Sequence, residues 1–184
     1  MERLRTAEVR WFHAGRAPVA VAAWFDALGL PVEAASRTDR YLRPTDDALG
    51  IKLREGRVEA KRRDGTAGPL TAGRAEATVE TWTKWSFALS EAPVVGETWV
   101  EVAKTRRQRE HAAGDASCRL ELSEVEVGGA AWWSVCLEAD GPNAEARQRA
   151  LAEAAARWIG RADAPALAAA DARGYPAWLM EVAG

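Results

Sequence analysis

Gly50-Ile51-Lys52-Leu53-Arg54 runs into Glu55-Gly56 and then into Arg57-Val58-Glu59-Ala60-Lys61-Arg62-Arg63. The stretch reads as two strands joined by a tight turn. Side chains alternate between the two faces of a strand. Lys52 and Arg54 therefore share one face of the first run, and Glu59, Lys61 and Arg63 share one face of the second. Val102-Ala103-Lys104-Thr105-Arg106 repeats the pattern with Lys104 and Arg106. An ordinary antiparallel sheet turns such a face to water. A closed barrel turns it inward and lines a tunnel with charge. Which of the two applies decides the fold and the function.

Outward from this hairpin the chain reads mostly as strands. Residues 33–43, 48–54 and 57–63 form three of them, with breaks at Pro44-Thr45-Asp46-Asp47 and Glu55-Gly56. Residues 64–73 carry Gly65, Gly68, Pro69 and Gly73 and read as a loop. Residues 78–90 are rich in Thr, Trp and Val and read as a strand, broken by Pro93 and Gly96. Residues 98–109 form the next. Residues 117–127 and 131–139 flank Gly128-Gly129, a turn pair that two-residue hairpins favour. Toward the start, residues 7–13 read as a strand. Residues 18–28 read as an amphipathic helix, opened by Pro18 and stopped by Gly29 and Pro31. Asn143 suits a helix cap, and residues 144–159 are an Ala-rich helix ended by Gly160.

The expected fold is α+β: an antiparallel β-barrel of about eight strands with flanking helices. One domain spans residues 1–184, with strands over about 6–139 and a helical segment over about 142–184. Eight meandering strands close around a space suited to one small ligand.

Composition agrees with a globular chain. Of 184 residues, 48% are hydrophobic and 28% charged, enough for one sizeable core. The net charge of −2 does not point to a nucleic-acid partner, so the cations matter only where they cluster. Cys118 and Cys136 lack metal-type spacing and suit a reducing compartment. The start lacks the apolar run of a signal peptide, and no stretch reaches the length of a membrane span. A soluble cytoplasmic protein with no membrane partner is the expectation.

The inward face, if the barrel closes, gathers Glu8 and Arg10, Lys52 and Arg54, Lys61 and Arg63, Lys84, and Lys104 and Arg106. On the last strand Trp132, Ser134, Cys136 and Glu138 share a face, opposite Trp133, Val135 and Leu137, which suit packing under a helix. Two unit charges about 5 Å apart repel by roughly 3 kcal/mol at an effective dielectric near 20. Several converging cations therefore need anions. Glu8, Glu59, Glu124 and Glu138 can neutralise some, and a phosphate ligand the rest through charge-assisted hydrogen bonds. The alternative is a solvated sheet face with ordinary cross-strand ion pairs.

In element order and in several loose motifs spread over nearly the whole chain, the sequence resembles the CYTH superfamily, the triphosphate tunnel metalloenzymes. These include inorganic triphosphatases, thiamine triphosphatases and one class of adenylyl cyclases. The family's Glu-x-Glu-x-Lys strand looks like Glu8-Val9-Arg10-Trp11-Phe12. Its paired basic strands look like Lys52-Leu53-Arg54 and Lys61-Arg62-Arg63. Its Lys-x-Arg strand looks like Lys104-Thr105-Arg106, and its Glu-x-Glu closing strand like Cys136-Leu137-Glu138. Arg37 and Tyr41 fall where the family has an Arg- and Tyr-containing strand, and Tyr175-Pro176-Ala177-Trp178-Leu179 looks like its C-terminal motif.

The resemblance implies an eight-stranded tunnel that holds a triphosphate with divalent metal. Arg37, Lys52, Arg54, Lys61, Arg63, Lys84, Lys104 and Arg106 would bind phosphate. Glu8 and Glu138 would hold one Mg²⁺ or Mn²⁺, which takes one or two protein carboxylates plus phosphate oxygens and waters. Arg10, Phe12 and Cys136 depart from the family pattern and thin its acidic half. The comparison thus supports phosphate binding better than metal-dependent hydrolysis of a triphosphate. No catalytic residue is assigned.

His13 and His111 suit surface or helix packing. Among the nine tryptophans, Trp11, Trp24, Trp133 and Trp158 suit packing between barrel and helices, and Trp82 can line the bore. The run Arg106-Arg107-Gln108-Arg109 reads as a solvated strand end. No Ser/His/Asp set, Walker loop or zinc spacing occurs. The leading expectation is a barrel that binds a small anionic phosphate ligand. A non-catalytic anion-binding protein is the first alternative. A hydrophobic-ligand barrel, with Lys52, Arg54, Lys61 and Arg63 outside, is the second.

Overall fold

The computed structural model describes residues 2–89 and 98–183. The chain runs β1 (Glu2–Ala14), α1 (Val19–Asp26), β2 (Ala35–Leu42), β3 (Leu49–Arg54), β4 (Arg57–Ala72) and β5 (Ala75–Ala88). It continues with β6 (Trp99–Ala113), β7 (Ala116–Val127), β8 (Ala130–Asp140), α2 (Ala144–Ala154) and α3 (Tyr175–Val182). The expected strand end at Ser90 and the breaks at Pro93 and Gly96 lie outside the described residues.

The eight strands form a closed barrel in the order β1-β5-β4-β3-β2-β6-β7-β8. Every ladder is antiparallel. The order is two meanders rather than one: β2 to β5 on one side of β1, and β6 to β8 on the other. The chain leaves β1 through α1 and re-enters the barrel away from β1, so β1 pairs with β5 and β8 and zips the two meanders together.

The segment 64–73, expected as a loop, is strand. β4 continues to Ala72 and pairs with β5 all the way to Ala72↔Ala75. Two register shifts, between Arg63 and Gly65 and between Thr66 and Pro69, absorb its glycines and proline. Such bulges are where a strand tolerates Gly at unusual φ and Pro without an N–H, and Gly68 has φ +97°. Two termini also run longer than expected. β1 begins at Glu2, held by Glu2↔Ser86 on β5, and β6 reaches Ala113 before the turn at Gly114.

Two apolar clusters sit on opposite sides of the barrel wall. The outer one packs Val9, Trp11, Leu120, Leu122, Trp133, Val135 and Leu137 against Trp24 and Phe25 of α1 and the face of α2. Ala146, Ala150 and Ala154 let α2 lie close to the sheet, with Leu151 buried among them. Asn143 caps α2 by accepting from the Ala146 N–H at 2.8 Å, and a π-helical turn, Ala155–Ile159, prolongs it. The inner cluster fills one end of the bore: Phe12, Tyr41, Val102, Val125 and Val127 from the strands meet Trp178 and Leu179 of α3.

Candidate functional site

The remainder of the bore is a cavity of about 300 Å³ lined by side chains from all eight strands. Closure decides the ambiguity left by alternation: the charged face points inward. Arg37, Lys52, Arg54, Lys61, Lys84, Lys104 and Arg106 line the cavity, as do Glu8 and Glu138. Arg63 does not. Its guanidinium is taken by Asp47 at 2.8 Å and Glu80 at 2.9 Å.

Asp39, fully buried, holds one group of cations together. Lys104 Nζ lies 3.0 Å from its carboxylate, Arg37 Nε 3.2 Å and Lys52 Nζ 3.5 Å. Burial opposes ionisation of Asp39, but these three cations outweigh it and its pKa falls below the usual carboxylate range. Lys104 also donates to the Tyr41 hydroxyl at 3.2 Å. Lys52 is shared with Glu59 at 3.1 Å, and Arg54 reaches Glu59 at 3.8 Å.

Glu8 and Glu138 stand directly opposite each other on β1 and β8. Two carboxylates in such register repel unless a cation lies between them. Lys61 supplies it: its ammonium pairs with Glu8 and lies 3.6 Å from Glu138. Burial disfavours the charged lysine, yet the two carboxylates raise its pKa. The next pair on the same face of these two strands is Arg10↔Cys136. Arg10 reaches Glu121 at 3.0 Å, Ser134 Oγ at 3.2 Å and Glu8 at 3.4 Å. Burial would raise the pKa of Glu121, but Arg10 and Lys104 drive it down to about 2. Burial pushes the Cys136 thiol up, so it stays neutral.

This arrangement bears on the divalent ion. Both oxygens of Glu8 already face a cation, Lys61 on one and Arg10 on the other. Glu138 shares Lys61. No cluster of three or more His, Cys, Asp or Glu able to hold a metal occurs among the described residues. Mg²⁺ demands near-octahedral oxygen coordination at close range, and an ammonium and a guanidinium occupy the approach. As arranged, the donor set does not fit a resident divalent ion.

The cations exceed the acids. Nine Lys and Arg side chains line the cavity against four carboxylates, Glu8, Glu59, Glu121 and Glu138, with Asp39 buried as a fifth. Lys84 has no carboxylate within 4.0 Å among the described residues, and it stands directly opposite Lys61 on β4. Arg106 has Glu121 at 3.6 Å. Burial, with repulsion from Arg37 and Arg54, nevertheless lowers its pKa. Surplus positive charge therefore lies at Lys84 on β5 and at Arg54, Arg37 and Arg106 on the neighbouring strands β3, β2 and β6, where each arginine shares an acid with other cations.

The floor is aromatic. Tyr175 stacks on Tyr41 with centroids 5.0 Å apart, and Trp178 stacks on Phe12 at 4.4 Å. Lys104 Nζ lies 4.5 Å from the Tyr175 centroid, within cation–π range. Trp82 also lines the wall, 5.4 Å from Lys61 Nζ.

Other sequence readings fall outside the bore. His13 stacks on Trp133 at 4.1 Å and His111 lies 3.2 Å from Glu153, both on the outer face. Arg109 of the basic run donates to the carbonyls of Phe25 and Leu30 behind α1. Asp39, Arg119 and Glu121 are site residues that the sequence reading leaves out. Their signal is the same alternation: Arg119 and Glu121 alternate with Leu120 and Leu122, and Asp39 lies between Arg37 and Tyr41. Compared with family models and with curated proteins, the chain gives no match.

Proposed function

We propose that the barrel binds a phosphate-rich anion, a polyphosphate or a phosphorylated small molecule, inside its bore. The cationic surplus carries this reading. Lys84 has no carboxylate within 4.0 Å among the described residues and faces another lysine, and three arginines crowd one side of a partly enclosed cavity. Holding such charge together without a ligand is unfavourable, and arginines and lysines answer phosphate oxygens with charge-assisted hydrogen bonds. The resemblance to the CYTH superfamily points the same way. The hydrophobic-ligand alternative requires Lys52, Arg54, Lys61 and Arg63 outside the barrel, and the first three line its interior.

Binding, rather than turnover, is what this lining supports. The test is a thermal melt of the full chain with tripolyphosphate, orthophosphate or sulfate. Tripolyphosphate should raise Tm most, because a ligand that binds only the folded state stabilises it by mass action. A flat Tm across all three overturns the reading. Phosphate release from tripolyphosphate with Mg²⁺ or Mn²⁺ shows whether hydrolysis accompanies binding.

A further inference from the structure

We infer that Lys61 stands as a built-in cation between Glu8 and Glu138, so the bore takes its anion without a divalent metal. The half of this inference that concerns the anion rests on the proposed binding function; the half that concerns Lys61 does not.

Glu8 and Glu138 are a directly opposed pair on neighbouring strands, both facing the bore. Two acids so placed make a natural seat for one positive ion. The residue opposite Gly50 on β3 and Lys84 on β5 is Lys61, and its side chain reaches past β5 to both acids. Its Nζ lies 5.4 Å from the Trp82 ring centroid, so the ammonium is positioned by an aromatic wall as well as by charge.

The neighbours close the remaining approaches. Arg10, two residues beyond Glu8 on the same face, pairs with Glu8 at 3.4 Å and with Glu121 at 3.0 Å. A dication seated on Glu8 would thus meet one ammonium and one guanidinium at contact range, while its two acids are already neutralised. On one flank of the acid pair, Arg10 and Cys136 add a cation and a thiol; on the other stand Thr6 and Asp140, with Asp140 held by Arg119 at 3.4 Å, and Glu80, opposite Glu8 on β5, is held by Arg63 at 2.9 Å. Hard divalent ions want oxygen.

The ligand then lies against Lys84, Arg54 and Arg106. Lys84 faces Lys61 from β5 with no carboxylate within 4.0 Å among the described residues, and Arg54 and Arg106 approach from β3 and β6. These groups neutralise phosphate charge directly. Lys61 keeps Glu8 and Glu138 from repelling that charge.

The test uses Mn²⁺ alone, followed by electron paramagnetic resonance, on the full chain. Wild type should leave Mn²⁺ free up to about 1 mM, the weak end of protein oxygen sites. Lys61→Met removes the ammonium and keeps an apolar stem against Trp82. It should gain one Mn²⁺ site, tighter by at least about a hundredfold, the scale of removing a unit charge beside the ion. Glu138→Gln added to that variant should abolish the new site. Lys61→Gln serves if Lys61→Met melts below the assay temperature. In parallel, the Tm gain from tripolyphosphate should be the same in EDTA as without it.

Wild-type Mn²⁺ binding that disappears in Glu138→Gln overturns the inference. So does a folded Lys61 variant that still takes no Mn²⁺, or a tripolyphosphate effect abolished by EDTA. Absence of any tripolyphosphate effect refutes the anion-binding reading instead, and the Mn²⁺ measurements still decide the role of Lys61.

Discussion

Lys61 and Lys84 face each other across β4 and β5, but among the described residues only Lys61 of the two has carboxylates within 4.0 Å. Opposed like charges in an antiparallel pair are destabilising by a fraction of a kcal/mol to about 1 kcal/mol. Lys84→Ala should therefore leave the unliganded protein as stable as wild type or slightly more so. The same change should weaken tripolyphosphate binding about tenfold or more, the loss of one charge-assisted hydrogen bond. Isothermal titration beside a urea melt reads both effects, and a stability loss with unchanged affinity would make Lys84 a structural residue. Glu121 behaves in the opposite way. Its folded-state pKa of about 2 lies below the ordinary glutamate value, because Arg10 and Lys104 outweigh the cost of burial. It therefore contributes stability that is fully present above the unfolded pKa, near 4, and is lost as pH falls toward 2. The shift corresponds to about 3 kcal/mol at neutral pH. Glu121→Gln should melt well below wild type at pH 7, with the gap shrinking steadily between pH 5 and pH 3. A gap that stays constant with pH would mean that the ionised carboxylate is not what stabilises.

At the scale of elements, α3 decides what kind of bore this is. Tyr175, Trp178 and Leu179 enter the end where Phe12, Val102, Val125 and Val127 replace the charged residues, so the space is floored rather than open through. Pro176 approaches β3 closely: a Cβ on Gly50 would meet Pro176 Cγ at 3.1 Å. Trp178 is fully buried and stacked on Phe12. Trp178→Ala should cost about 3–5 kcal/mol in a denaturant melt. Phe12→Leu, which keeps most of the volume, should cost clearly less. Equal losses would show that the ring stack, and not the filled volume, is what matters. The Tyr175–Leu179 motif could be noticed in the sequence, but not its destination, since five residues carry no information on which end of a barrel they fill. β4 shows the reverse limit. Gly65, Gly68 and Pro69 have turn chemistry, and local chemistry reads them as a loop; only pairing with β5 over its whole length turns them into bulges within a strand.

For the molecule as a whole, alternation revealed which residues share a face but not which way the face points. Lys52-Leu53-Arg54 reads identically on a wet sheet and in a barrel wall. The deciding contacts are β1 with β5 and with β8, partners so distant along the chain that no local pattern encodes them. Closure turns charges of ordinary abundance, in a chain of net charge −2, into one concentrated patch. That patch gives the molecule two separable responses to salt. Lys84, Arg54 and Arg106 are only partly buried, so their mutual repulsion and their attraction for an anion both reach solvent. The screening length falls from about 10 Å at 0.1 M salt to about 3 Å at 1 M. The Tm gain from tripolyphosphate should accordingly shrink by more than half over that range. The unliganded protein should become more stable over the same range as Lys61–Lys84 repulsion is screened, and Lys84→Ala should show less of that gain. The deficit of Trp178→Ala, an apolar packing loss, should change little. A tripolyphosphate effect that survives 1 M salt undiminished would mean that the cationic surplus of the bore is not what binds it.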